Sequence, residues 1–520
     1  MVQKKQILWA DDEIDLLQPH IMFLQSKGYD VDTVTNGDDA IAKVAEKNYH
    51  IILLDEMMTG KDGLETLQQI KTSHPQTPVI MITKSEEETL MEEAIGQKID
   101  DYLTKPVNPS QILMACKKIL ESREIASEKR GAQYATELQQ ISSLLSNPLS
   151  EDEWIELDLK LCNLDVELDT LNEPTFREIL HDHRRECNVE FGKFIEKNYK
   201  SWIRDRNNSP LLSVDIVKNY LIPELKKGSK IIFIVIDCLR LDQWLTLESY
   251  FYPFFNIARN YYYSILPTAT PFSRNAIFSG LFPEEIEKKY PELWSTDVDD
   301  ESSLNRYEKE LLEQNFLRNG FKPEQEIKYL KILNNEDAAN LEKNMKTYLD
   351  SDVLAIVLNF VDILAHSRSD LPILKEIAPN ESAFRSLTRS WFEHSPIFNV
   401  MKAIGNSDHL LYITTDHGSV RGLRATKVFG DRETSTNLRY KYGRNLKADK
   451  KNAIFIRNPE EYKLPRRGIN TTYLIAKEDY YFIYPTNYYK FLNYYKDSFQ
   501  HGGASLEEMI LPIIRLEPKI

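Results

Sequence analysis

The sequence predicts a multidomain α/β protein, and three observations predict it. Strand-like runs alternate with helical stretches over the first 120 residues. Much later, three short apolar runs each end on acids or histidines: Ile231–Ile236 before Asp237, residues 353–360 before Asp362 and His366, and residues 410–415 before Asp416 and His417. Between these regions lies a charged stretch without apolar strand runs. An unbroken run of β-branched residues suits a strand buried on both faces of a parallel sheet, and open α/β sheets place their ligands beyond the carboxyl ends of such strands. The chain is read as three parts, residues 1–120, 121–205 and 206–520.

Length and composition set the bounds. A chain of 520 residues accommodates two to four domains. Hydrophobic content of 42% and charged content of 28% describe an ordinary globular protein. The segment MVQKKQ leads straight into a strand, unlike a signal peptide, and no apolar run approaches the about 20 residues that span a bilayer. The expectation is a cytoplasmic protein without membrane insertion. Cys116, Cys162, Cys187 and Cys238 are far apart and lack CxxC spacing, as expected of reduced thiols. A net charge of −15 argues against a surface devoted to duplex DNA.

In the first part, strands are expected at ILWA (7–10), DVDTV (30–34), IILLD (51–55), VIMIT (79–83) and DYLT (101–104). Five alternating units define a small doubly wound sheet. Asp11 and Asp12 end the first run, Asp55 the third and Thr83 the fourth; Lys105-Pro106 follows the fifth. This segment resembles the receiver domain of bacterial response regulators, a flavodoxin-like fold. The resemblance implies that Asp11, Asp12, Asp55 and Met57 hold one Mg²⁺, an ion that prefers oxygen ligands. It implies that Asp55 is the carboxylate nucleophile accepting a phosphoryl group from the phosphohistidine of a sensor kinase. Lys105 and Thr83 then contact phosphate, Lys105-Pro106 is a cis peptide, and Tyr102 is the switch aromatic. Trp9, in place of a small aliphatic, and Lys84, after Thr83, depart from the family pattern.

In the middle part, Ser150 and Glu153 form a capping box ahead of Trp154. Leu157, Leu161, Leu164 and Leu168 follow helical spacing. Residues 155–161 also alternate, but the intervening acids and lysines favour helix. Asn172-Glu173-Pro174 reads as a break and a new helix start. His181 and His183 suit a solvated helix face better than a metal site. A small helical bundle connecting sensor to effector is expected.

In the third part, Asp237 is followed by YSILPTATPFS from residue 263 and by Ser279-Gly280-Leu281-Phe282-Pro283. The pattern resembles the alkaline phosphatase superfamily, specifically its PglZ type. The resemblance implies that Thr270, ten residues before Gly280, is the catalytic nucleophile, with Thr268 as rival. It implies two Zn²⁺ ions, one at Asp237, Asp416, His417 and the Thr270 oxygen, the other at Asp362, His366 and His501. Asp362 and His366 stand one helical turn apart, and a mixed nitrogen and oxygen set suits Zn²⁺ or Mn²⁺ better than Mg²⁺. Phosphoester hydrolysis through a phosphothreonine follows from that likeness. Arg240, Asp242 and Asn275 are read as structural, His394 and His409 as non-ligands, and residues 284–350 as a helical insertion capping the site.

Residues 421–451 carry ten Lys/Arg against three acids, with Phe429, Tyr440 and Tyr442 interleaved; tyrosines recur between residues 480 and 495. The stretch suits either a short or cyclic oligonucleotide substrate or a solvated basic loop. The three parts in this order resemble the response regulators of type IX secretion. That resemblance implies dimerisation on phosphorylation, zinc-dependent phosphodiesterase activity on oligonucleotides, and contact with a secretion motor or a sigma factor. The alternative is a phosphorylation-switched binding adaptor with little turnover.

Overall fold

The computed structural model describes residues 4–519, apart from 76, 85–98, 171–173, 295–304, 325, 432–434, 436, 467 and 469; for 121–130 and a few further helical positions only the backbone is described. The chain divides into two compact units, residues 1–136 and 137–520. A single helix, Pro109–Leu144, crosses both this division and position 120.

The first unit is a five-stranded parallel sheet of β1 (Lys5–Ala10), β2 (Tyr29–Val34), β3 (Ile51–Asp55), β4 (Val79–Thr83) and β5 (Asp101–Thr104), in the order β2-β1-β3-β4-β5. All five expected strands are present. β3 and β4 are buried along their whole length, because helices cover both faces of the sheet. Trp9 is fully buried on one face, edge-on to His20, with ring centroids 6.3 Å apart.

The second unit is built on β6 (Ile231–Ile236), β7 (Phe255–Tyr263), β8 (Lys328–Ile332), β9 (Val353–Leu358), β10 (Leu410–Thr414) and a final strand, Ile510–Pro518. The order is β7, final strand, β10, β6, β9, β8. β10, β6, β9 and β8 run parallel; the final strand is antiparallel to both of its neighbours. Along β6, Ile232, Ile234 and Ile236 enter one apolar cluster and Ile231, Phe233 and Val235 the other, the two-faced burial that an unbroken apolar run demands. The register pairs Ile236 with Leu358 and Val235 with Thr414, so three adjacent strands end at one level.

Residues 284–350 differ from a purely helical cap. They include the edge strand β8, and Leu311, Leu312 and Phe316 of helix Glu308–Arg318 lie in the core. KYLKI was not legible as a strand because its basic residues interrupt the apolar run, as an edge strand tolerates.

The middle part forms helices Glu151–Thr170 and Pro174–Arg204. The Ser150 N–H donates to Glu153 Oε2 at 2.8 Å and the Glu153 N–H to Ser150 Oγ at 3.4 Å, the expected capping box. Leu157, Leu161, Leu164 and Leu168 are all buried; Asn172 and Glu173 lie outside the described residues. The helices are joined to the 206–520 part as one body. Trp154, Phe191, Phe194 and Trp202 pack with one another and around Tyr263 of β7. Arg385 is fully buried among Asp165, Asp169 and Asp242. Asn188 accepts the Leu506 N–H at 2.8 Å.

Candidate active site and phosphorylation site

In the first unit, Asp11 follows β1 and Asp55 ends β3, neighbours in the sheet, and carboxylate oxygens of Asp11, Asp12 and Asp55 lie within 4.8 Å of one another. Lys105 Nζ lies 2.7 Å from Asp55 and 3.0 Å from Asp11. Burial, despite Lys105, pushes the Asp55 carboxyl up to about 6. An all-oxygen cluster of this kind fits Mg²⁺, which would relieve that penalty. Lys105–Pro106 is cis. Thr83 is buried and its hydroxyl donates to Glu56, Tyr102 is 42% exposed, and Met57, two residues after Asp55, is exposed. Gly63 is required here: a Cβ would lie 2.4 Å from the Asp55 carbonyl oxygen. Lys84 is exposed, 3.7 Å from Glu13.

In the second unit, the aligned ends of β6, β9 and β10 bring Asp237, Asn359 and Asp416 to one edge of the sheet. Asp237, Asp416 and His417 offer ligand atoms within 4.8 Å of one another, and so do Asp362, His366 and His501. Asp362 and His366 occupy successive turns of helix Phe360–Asp370. His501 arrives from the strand Ser498–Gln500, which pairs with Val420–Gly422 just beyond His417; the His417 and His501 rings stack with centroids 4.2 Å apart. The two triplets are therefore contiguous.

Thr270 opens helix Thr270–Ser279, whose chain turns at Gly280 in the left-handed conformation (φ 63°). The hydroxyl lies 3.0 Å from His417 Nε2 and 3.3 Å from Asp237 Oδ1 and is part-exposed. His417 Nδ1 lies 3.0 Å from the Gly418 carbonyl, which can only accept, so Nδ1 carries the proton and Nε2 presents a lone pair to the site. Thr268 is fully buried: it donates to the Gly503 carbonyl at 2.7 Å and accepts the Gly502 N–H at 3.2 Å. Its hydroxyl holds the His501 loop in place.

The electrostatics suit cations. Burial and then the neighbouring Asp416 raise the Asp237 carboxyl to about 8, and burial lifts Asp416 to about 6. Burial, followed by the nearby His417, drives His501 well down. Asp416 Oδ2 is buried without a hydrogen-bond partner among the described residues, and the Nε2 atoms of His366 and His501 face each other at 3.1 Å. An orphaned buried carboxylate oxygen beside converging imidazoles fits two divalent cations in a mixed nitrogen and oxygen environment.

A supporting layer was not read from the sequence. Arg274, one turn beyond Thr270 and buried, donates to Asp237 and, at 2.6 Å, to Glu308. Asn359 donates to Asp237 Oδ2 at 3.1 Å, and Asn305 to the Thr270 carbonyl at 3.2 Å. The spacing Thr270-x-x-x-Arg274 was the available signal for the arginine. Cys238, the residue after Asp237, has φ 66°, an uncommon conformation for a residue with a side chain; its N–H donates to Asp416 Oδ1 at 3.4 Å. Arg240 and Asp242 form a buried ion pair and Asn275 donates to the Pro271 carbonyl, structural roles as expected. His394 and His409 join neither cluster, and His183 lies 3.6 Å from Glu186.

Part of the basic stretch 421–451 is held by acids that lie outside it. Arg421 meets Asp497, Arg424 meets Glu478 and Asp479, Arg439 meets Glu508 out of contact with solvent, and Lys441 is buried against the Ser435 carbonyl at 2.8 Å. Phe429 is half-exposed, and Tyr440 packs edge-on to Phe272 beside Thr270. Arg432 and Glu433 lie outside the described residues. Lys427, Arg444, Lys447, Lys450 and Lys451 are exposed.

A receiver-like unit followed by a phosphoesterase-type effector defines a class, the two-component response regulators with an alkaline-phosphatase-like output. Three family descriptions match this chain: the response regulator receiver domain over residues 7–117, the PorX response regulator linker domain over 124–203, and the PglZ alkaline phosphatase-like domain of BREX systems over 216–516. The chain belongs to the PglZ family and has the domain composition of a PorX-like response regulator. Among curated proteins, it is 40% identical over 115 residues to the transcriptional regulatory protein ResD of Bacillus subtilis, covering 22% of this chain and 48% of that one. It is 30% identical over 133 residues to the transcriptional regulatory protein SrrA of Staphylococcus aureus, covering 26% and 55%. The chain thus spans about half the length of the curated relatives it matches. Among solved structures, the CheY-like receiver from Methanospirillum hungatei JF-1 is 26% identical with a TM-score of 0.23, covering 24% of this chain and 99% of that one. The BeF3-activated DrrB receiver domain is 31% identical with a TM-score of 0.22, covering 23% and 99%. Among the described residues no helix is long and apolar enough to cross a membrane.

Proposed function

We propose that the protein is a two-component regulator in which phosphorylation of Asp55 by a sensor histidine kinase drives dimerisation and controls a zinc-dependent phosphodiesterase acting on short or cyclic oligonucleotides. The observation that carries the catalytic half is the convergence of two ligand triplets beside the Thr270 hydroxyl. Asp237, Asp416, His417 and Thr270 would hold one Zn²⁺, and Asp362, His366 and His501 the other. Bound there, the ions supply Lewis acidity, which lowers the pKa of a coordinated hydroxyl and neutralises charge on phosphoryl oxygens. Thr270 Oγ forms a bond to phosphorus as the bond to the leaving oxygen breaks; water then hydrolyses the phosphothreonine. Arg274 and Asn359 hold Asp237 in its rotamer, and Thr268 fixes the loop bearing His501. In the receiver, Asp11, Asp12, Asp55 and Met57 would hold one Mg²⁺, with Lys105 and Thr83 contacting the phosphoryl group and Tyr102 reporting the switch. The family likeness extends this reading to a cytoplasmic regulator that contacts a type IX secretion motor or a sigma factor.

The test is metal content together with hydrolysis of linear and cyclic oligonucleotides, with and without a small phosphoryl donor. About two zinc ions per effector and turnover lost in Thr270→Ala and Asp416→Ala are expected. Turnover that persists in both variants would end the proposal.

A second reading, a phosphorylation-switched adaptor with little turnover, is favoured by one observation. Ile363, Ile373 and Ile377, on two successive helices, and Leu371 between those helices are all exposed, as are Tyr489 and Tyr494. If it holds, ligand-site variants keep biological output while Asp55→Ala loses it.

A further inference from the structure

A cavity of about 230 Å³ opens at the carboxyl ends of β8 and β9, lined by Leu333, Asn334, Ala338, Leu358, Phe360 and Trp391 among others. Its placement is set by the same strand ends that build the catalytic cluster. The Asn359 N–H donates to the Ile332 carbonyl at 3.2 Å, closing the end of β8, while the Asn359 side chain donates to Asp237. One residue thus separates the cavity from a proposed metal ligand. Phe360 and Trp391 stack face to face, with centroids 3.8 Å apart and planes 4° from parallel. A locked pair of this kind presents a flat, preorganised aromatic surface. Leu333 is half-exposed at the rim and Ala338 is buried at the wall. The volume is below that of a drug-sized pocket, about 300 Å³ and upward, and suits a single planar ring system. Aromatic faces flanked by side-chain amides recognise nucleobases, stacking on the ring and bonding its edge.

We infer that this cavity is the nucleobase subsite of the phosphodiester substrate: the base beside the scissile phosphate stacks at Phe360 and Trp391, with the amide of Asn334 or Asn335 at its edge. The inference rests on the phosphodiesterase reading and names which part of the substrate the site grips. It also places base recognition at this cavity and not at the basic stretch 421–451, where Arg421, Arg424 and Arg439 are held in ion pairs.

The test compares two esters with the same leaving group, p-nitrophenyl thymidine 5′-phosphate and p-nitrophenyl methyl phosphate, on the full-length protein. Ala338→Phe fills the cavity and Phe360→Leu removes half of the stack. In both variants KM for the thymidine ester should rise about tenfold, a typical loss for one stacked base, with the methyl ester unchanged. Equal changes for both esters, or none, overturn the inference. If the wild type cleaves neither ester, the phosphodiesterase reading has failed, and the subsite is tested by fluorescence. Thymidine or adenosine at millimolar concentration should quench a signal that is missing in Trp391→Phe and blocked in Ala338→Phe; no such quenching overturns it.

Discussion

Arg385 offers a quantitative test of how the helices at 151–204 are fastened to the catalytic part. Its guanidinium is fully buried, 2.7 Å from Asp169, 2.9 Å from Asp165 and 2.7 Å from Asp242. Burial pushes the Asp242 carboxyl up, but Arg240 and Arg385 outweigh it and hold the group well below the usual carboxylate range. Removing one partner of a buried pair costs about 3–5 kcal/mol because the other charge is left uncompensated. Here Asp242 keeps Arg240, and Asp165 and Asp169 keep the part-exposed Arg177, so Arg385→Met belongs at the lower end, about 3 kcal/mol. The assay is amide hydrogen exchange, because a chain of two compact units need not unfold in one step. Peptides from Glu151–Thr170 and Leu241–Leu247 should exchange together roughly a hundredfold faster, at about 1.4 kcal/mol per tenfold. Asp169→Asn, at a carboxylate whose side chain is 21% exposed, should cost about 1 kcal/mol. An Arg385→Met protein whose two segments exchange less than about threefold faster would refute the fastening role, since about 0.7 kcal/mol is what an exposed pair contributes.

Four further outcomes are expected. Thr270→Ala should lose turnover by three orders of magnitude or more with its melting temperature unchanged. Thr268→Val should instead lose about 1–3 kcal/mol of stability by stranding the Gly502 N–H and Gly503 carbonyl; the opposite pattern in kinetics and melts would exchange the two roles. Lys441 is buried and its pKa is pushed down from 10.5 to about 7. Between those values the unfolded chain binds a proton that the folded chain does not, so stability rises with pH across that window. Lys441→Met should raise stability at pH 7 by on the order of 3 kcal/mol and flatten the rise towards pH 9, and melts with the same pH slope in both proteins would count against this. Gly418→Ala would place a Cβ 1.9 Å from the Glu507 carbonyl oxygen, and a clear drop in melting temperature is the expected reading.

The parts legible in the sequence were those whose chemistry is local. A strand buried on both faces must be an unbroken apolar run, so Ile231–Ile236 and its two neighbours announced themselves, and acids placed directly after such runs stood out. Asp362 and His366 were legible for the same reason, one turn apart on one helix. The supporting layer was not, because Arg274 and Asn359, which converge on Asp237, and Glu308, which holds Arg274, are ordinary polar residues whose importance comes only from that arrangement. The partners of three cations in 421–451 were not legible for a related reason. The acids that engage them, Asp479, Asp497 and Glu508, lie 55 to 76 residues further along the chain, beyond any local tally of charge.

The aromatic cluster of Trp154, Phe191, Phe194 and Trp202 against Tyr263 has a practical corollary. The catalytic sheet has no finished exterior on that side. An effector excised at residue 206 would present a bare ring, an Arg385 stripped of Asp165 and Asp169, and the Glu507 carboxylate to water, and would be expected to associate or precipitate. Any transplantation of this hydrolase fold onto a different sensor must carry the two helices along as part of the cargo, with the splice placed upstream of Ser150.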